Sequence, residues 1–241
     1  MADQEMGNQE VIVQKKGIAR LWEILTRDIW DFFRANLILF AASCPGILLV
    51  VWGIWGHSLV VVLLGGVVLG ILGAPFLCGL YDTLLRALRD DAGFWSLQYK
   101  QALKQDWKDA LLPGIVGGVI LAVWLFEASV LLEQKDLSGS ALVAMLEVVF
   151  FLTGIFHYIF AQIVLVSVSA KKLYSNSIRL FVGALPYSVA AAAVQLVYWG
   201  IFYMYLPRSV PFLMISGFWF PNLLVLMILM KPLKRYLRLE E

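Results

Sequence analysis

Charge is what this chain has least of. Lys and Arg number 19 and Asp and Glu 17 among its 241 residues, 15% in all, where soluble domains carry about 25%. A soluble fold of this length would need far more charge to clothe its surface, so a water-soluble globular domain is excluded. The net charge of +2 is too small for a nucleic-acid partner. Cysteine is almost absent too. Cys44 and Cys78 both lie inside apolar runs, which excludes a disulfide framework and a thiolate metal site. Only two histidines occur, His57 and His157, which leaves little general acid–base machinery. H-E-x-x-H, G-x-S-x-G and the Gly-rich phosphate loop are missing. The expectation is a chain with no catalytic residue, no cofactor and no metal. The first 35 residues are polar and amphipathic and lack a small-residue cleavage site, so no signal-peptide pattern is present.

What is there is apolar: 61% of the residues are hydrophobic, gathered into long runs with almost no charge. Such runs are the signature of bilayer spans, which need about 20 residues each to cross about 30 Å of hydrocarbon. Six are predicted: Asn36–Trp55, Leu59–Tyr81, Ala110–Leu132, Ala141–Val168, Val182–Tyr205 and Phe212–Met230. The alternation of a membrane β-barrel is absent, so the expected fold is all-α, a polytopic membrane helix bundle. Its expected organisation is a disordered tail over 1–17, an interfacial amphipathic helix over 18–35, a six-helix domain over 36–230 and a tail over 231–241. The interfacial helix follows from Ile18, Leu21, Trp22, Leu25, Ile29, Phe32 and Phe33 at helical spacing, with Arg20, Glu23, Arg27, Asp31 and Arg34 opposite. Glu23 and Arg27 are spaced for an ion pair.

Orientation follows from the basic residues. Seventeen of the 19 Lys and Arg fall in the amino-terminal segment, the second and fourth connections and the carboxy-terminal tail; Lys135 and Arg208 fall on the other side. The positive-inside rule then places both termini in the cytoplasm of a cell whose inner membrane holds the protein. Gly66, Gly70 and Gly73 share a face of the second span and Gly114 and Gly118 a face of the third, at depths that keep the two sets apart.

Two groups of residues stand out as candidate sites. Tyr99, Lys100, Leu103, Lys104, Trp107 and Lys108 suit a short cytoplasmic amphipathic helix, its amines on anionic lipid headgroups or on a protein partner. Ionisable and amide side chains inside the spans form the second group. Glu127 and Glu147 lie at similar depths, facing a shared outward cavity or simply reaching the outer interface. His157, Gln162, Gln195 and Asn222 lie deeper, as a solute site or proton relay, or as hydrogen bonds that fix helix packing.

The stretch Gly79-Leu80-Tyr81, Leu84-Leu85-Arg86, Phe94-Trp95, a basic aromatic segment and Leu111-Leu112-Pro113-Gly114 resembles the YesL family. So do Asn36-Leu37-Ile38-Leu39 before Pro45-Gly46, and the run Lys171 to Leu180. The likeness covers most of residues 20–235. It implies a small bacterial membrane protein of unknown function, of a kind often encoded beside carbohydrate ABC transporters, and it carries over no catalytic residue. The chain departs from true permeases in lacking an E-A-A motif with its downstream glycine. Two functions are therefore expected as alternatives: a non-enzymatic accessory or scaffold subunit with a membrane-transporter partner, or a small-solute transporter or channel.

Overall fold

The computed structural model describes residues 17–133, 138–166 and 170–237. Residues 1–16 of the expected tail over 1–17, with Lys15 and Lys16 among them, and Lys135, Val168 and Arg238 lie outside the described residues. All regular structure among the described residues is helical: α1 (Ile18–Trp55), α2 (Leu59–Arg89), α3 (Trp95–Leu132), α4 (Gly139–Leu165), α5 (Ala170–Gly183), α6 (Leu185–Met204), α7 (Val210–Phe212), a π-helical turn (Leu213–Gly217) and α8 (Trp219–Leu237). Five of these helices are long and apolar enough to cross a membrane. The segments Val210–Gly217 and Trp219–Leu237, bent by 44°, make a sixth if taken together. The protein is an all-α membrane helix bundle.

Helix boundaries differ from the sequence expectation in an informative way. The predicted interfacial helix and first span are one helix, the 38-residue α1. The predicted amphipathic segment after Tyr99 is likewise continuous with the third span in the 38-residue α3. At 1.5 Å per residue each is about 57 Å long, nearly twice the hydrocarbon thickness. Their excess length lies beside the carboxy-terminal part of α2 and is covered by protein there: Ile24 and Phe32 of α1 and Tyr99 and Ala102 of α3 are buried. The fourth connection also holds a helix, α5, which buries Leu173, Ser177, Leu180 and Phe181.

α2 is the central element, clasped between α1 and α3. Its two glycine neighbours on α3 contradict the expected separation by depth. A Cβ added at Gly70 would lie 2.4 Å from the Gly114 carbonyl oxygen, and one at Gly66 2.8 Å from that of Gly118. The small residues of the two helices therefore meet directly, backbone against backbone. The expected depths assume a third helix starting at Ala110, whereas α3 starts at Trp95 and is displaced along α2. The same register brings Tyr99 onto Gly79, where a Cβ would meet the phenol ring at 2.6 Å.

Below these glycines α2 is enclosed on every side. Every residue from Cys78 to Leu85 is buried, packed against Tyr158, Ile159 and Phe160 of α4 and Leu223, Leu226, Leu229 and Leu233 of α8. Nearer its amino terminus α2 alternates buried glycines with exposed Leu63, Leu64, Ile71 and Leu72. The packed core thus sits at the end of the bundle that holds the arginines of α1 and α2.

Candidate functional site: a polar network between four helices

Three of the six intramembrane candidates come together, joined by one residue that the sequence did not suggest. His157 of α4 lies between Tyr81 of α2 and Gln195 of α6. Its Nδ1 meets the Tyr81 hydroxyl, and its Nε2 lies 3.1 Å from the Gln195 amide nitrogen. That amide also donates to Asn222 Oδ1 of α8 at 3.2 Å. Gln195 Oε1 accepts from the Trp199 indole at 2.9 Å. All four polar groups of the network are buried, from Tyr81 at 2% exposure to Asn222 at 8%.

The hydrogen-bond roles follow from Gln195. With its oxygen fixed by Trp199 and one N–H given to Asn222, its second N–H points at His157 Nε2, which must accept. The ring proton then resides on Nδ1 and is donated to the Tyr81 oxygen. The imidazole is neutral in this arrangement, and the Tyr81 ring lies stacked on it, centroids 6.0 Å apart. Chemically the network is a dead end for protons. Amides terminate it on one side, and a buried phenol terminates it on the other. Its evident capacity is to fix the mutual rotation of α2, α4, α6 and α8, each interhelical bond contributing about 0.6–2 kcal/mol.

The other candidates lie elsewhere. Gln162 donates to Ser177 of α5 at 2.7 Å and to the Tyr158 carbonyl at 3.1 Å, tying α5 to α4. Glu127 and Glu147 are both exposed and make no hydrogen bond or ion pair among the described residues. The nearby α3–α4 link is instead Trp124 Nε1 donating to the Met145 carbonyl at 3.1 Å. None of the six lines either of two cavities described below.

The stripe on α3 divides into a buried and an exposed edge. Tyr99 is only 4% exposed and stacks on Trp95 at 5.0 Å; Leu103 packs against the core. Lys100, Lys104, Trp107 and Lys108 face outward, and the Lys108 ammonium lies 5.6 Å from the centre of the Trp107 ring. An aromatic edge made for the headgroup region is thus reduced to Trp107. Tyr99 instead serves α2, because Gly79 leaves a ring-sized space.

Two further constellations escaped the sequence reading. The first is Asn36, fully buried at 0% exposure. Its Nδ2 donates to the Leu213 and Met214 carbonyls, both at 2.9 Å. Its Oδ1 accepts from the Phe218 and Trp219 amides at 2.9 and 3.1 Å. These groups lie in the π turn and at its junction with α8, and one side-chain amide bonds four of them. The only sequence signal was an asparagine within a helical pattern that continues through it.

The second is a charged junction where α1, α2 and the start of α3 meet. Arg20 binds Glu23 at 3.3 Å and Asp90 at 2.5 Å. Arg27 pairs with Asp28 at 2.8 Å and also with Asp90, and donates to the Ala87 carbonyl at 2.8 Å. The expected Glu23–Arg27 pair is thus replaced by contacts to α2's end. Arg86 binds Asp82 at 2.8 Å and Arg89 binds Asp91 at 2.9 Å. Asp90 caps α2 in the left-handed conformation, φ 60°, which a non-glycine residue adopts at some cost. Partial burial opposes its ionisation, but the hydrogen bonds and charges of Arg27 and Arg20 prevail and hold its carboxyl below the usual range. A cavity of about 250 Å³ opens here, lined by Arg27, Asp28, Asp82, Arg86 and Trp95 among others. Its charged walls are engaged with one another.

No family model matches the chain, and no curated protein or solved structure is significantly similar to it.

Proposed function

We propose that this multi-pass membrane protein is a non-enzymatic accessory or scaffold subunit of a membrane assembly, with both termini in the cytoplasm. The observation that carries the reading is the state of its interior polar groups. Tyr81, His157, Gln195 and Asn222 are hydrogen-bonded to one another, and the Gln162 amide nitrogen is held by Ser177 and the Tyr158 carbonyl, its oxygen alone having no partner among the described residues. Transport through the bundle would need such groups turned toward a water-filled path; here they act as fasteners between helices.

A fixed interior moves the search for function to the surface. Lys100, Lys104 and Lys108 of α3 and Lys171, Lys172 and Arg179 of α5 are exposed and have no acidic partner among the described residues. They offer a cationic face to anionic headgroups or to an acidic partner on a neighbouring subunit. The resemblance to the YesL family points the proposal toward carbohydrate uptake and a transporter as that partner.

Affinity purification of the tagged chain from native membranes in mild detergent tests the reading. A transporter subunit should be retained at a fixed ratio, and replacing Lys100, Lys104 and Lys108 by Gln should lower that ratio. Recovery of the chain alone, together with solute uptake by the pure protein in liposomes that is lost in His157→Ala, would replace it with the transport reading.

A further inference from the structure

The last apolar segment is broken, and the break opens a groove. Because Val210–Gly217 bends by 44° from α8, it splays away from α6 and leaves about 420 Å³ between them, within the size range of ligand pockets. Tyr198, Phe202, Phe212 and Phe220 wall this space, and Arg208 lines it too. Two hydroxyls of the walls are turned into the walls: Tyr198 Oη donates to the Ser216 carbonyl at 3.3 Å, and Ser209 Oγ donates to the Phe202 carbonyl at 2.7 Å. A largely apolar trough remains, with the Arg208 guanidinium and the Tyr205 hydroxyl as its free polar groups among the described residues.

That guanidinium has no counter-charge of its own. Arg208 is exposed and forms no hydrogen bond or ion pair among the described residues. No acidic residue among those described lines the groove, and between Glu147 and Glu240 the sequence has not one Asp or Glu. A ligand that fills the groove has to bring the counter-charge itself and to present hydrocarbon to the aromatic walls. A phosphodiester carrying acyl chains meets both requirements, since arginine binds phosphate oxygens through paired N–H donors.

We infer that the groove between α6 and the broken last helix is a binding site for one anionic phospholipid, with an acyl chain against the aromatic walls and the phosphate on Arg208. The inference is independent of the accessory-subunit reading and holds whether or not a transporter partner exists.

The test is lipid retention by the full-length chain in mild detergent, read by native mass spectrometry. Phosphatidylglycerol and phosphatidylcholine with identical acyl chains are supplied in equal amounts. One basic residue near a phosphate discriminates by about fivefold, so phosphatidylglycerol should be retained about that much more. Arg208→Gln should erase the preference, lowering phosphatidylglycerol retention more than that of phosphatidylcholine, whose phosphate is already offset by its choline cation. Arg208→Lys should keep part of the preference, and Ile201→Trp, which fills the trough, should lower retention of both lipids. Equal retention by the unaltered chain, or a preference undiminished in Arg208→Gln, overturns the inference. So does displacement of phosphatidylglycerol by inorganic phosphate at matched ionic strength, which would make the anion alone the ligand. Lipid-free dimers that cross-link through residue 208 would assign the groove to a second copy and overturn it as well.

Discussion

The two parts of this chain handle positive charge in opposite ways. In α1 and α2 all five arginines are paired: Arg20 and Arg27 with Asp90, Arg34 with Asp31, Arg86 with Asp82 and Arg89 with Asp91. From residue 148 to 239 there are eight Lys and Arg and no acidic residue. None of those described makes an ion pair, and Lys231 finds only the face of Tyr187, 5.9 Å away. In the first region the arginines of α1 and α2 are neutralised by their own neighbours, while the lysines of α3 are left exposed. The second is left to be neutralised from outside, by lipid or by a partner. The difference teaches where to look for structure and where to look for association.

That contrast can be broken most forcefully at the α2–α3 contact. Gly70→Leu places a side chain where even a Cβ meets the Gly114 oxygen at 2.4 Å, so the two helices must separate. Overpacking of this kind costs about 1–3 kcal/mol or more. Loss of the folded species in size-exclusion chromatography, or a large drop in melting temperature, is the expected result. Gly200→Ala on α6, with nothing within 4 Å, should change neither measurement. Equal tolerance at both positions would abolish the distinction between a tightly closed first region and an open second one.

Next in size comes the junction between the regions. Asn36→Leu keeps the heavy-atom count and branching of the side chain but removes its hydrogen bonds to two carbonyls of the π turn and to the two amides that follow it. A buried polar group left unpaired costs about 1–3 kcal/mol. With some of the four re-paired by local rearrangement, the loss should be about 3 kcal/mol in total. It should be accompanied by faster hydrogen exchange at Phe218 and Trp219. Destabilisation without that local exchange signature would mean that Asn36 acts through packing alone.

The smallest effect sharpens the comparison through pH. Asp90 has a carboxyl held below its unfolded value, so its contribution to stability is complete above that value, near 3.9. The contribution is lost as pH falls through the lower, folded value. For so exposed a group it should amount to no more than about 1 kcal/mol. The melting temperature should therefore decline on the acid side, and Asp90→Asn should flatten that decline. The second region has no carboxylate to titrate between residues 148 and 239. Its link to lipid should thus respond to ionic strength over the same acid range, and barely to protons.

Much of the fold was legible because its cause is composition. Runs free of charge had to be buried in lipid, and their lengths allowed only helices. The ends of helices were less legible, since charge within a helical pattern does not stop a helix. Arg20 to Arg34 and Lys100 to Lys108 continue α1 and α3 because α2 gives those extensions something to pack on. Register was not legible at all. That Gly70 meets Gly114 depends on the three-dimensional slide of α3 along α2, which no single strand of sequence contains. At the candidate site, His157, Gln195 and Asn222 were visible as costly residues in apolar runs. Tyr81 was hidden because a tyrosine at the end of a span ordinarily reads as an interfacial anchor.

Asn36 also sets an order of events. Its partners lie 177 to 183 residues further along the chain, and at about 5–20 residues per second they emerge roughly nine to thirty-seven seconds later. Throughout that interval the first helix carries an amide whose eventual partners have not been synthesised. The nascent bundle is therefore an unlatched intermediate, in which α1 to α6 can assemble around α2 but cannot lock. Placement of the last segment is thus what gives the Asn36 amide its four partners.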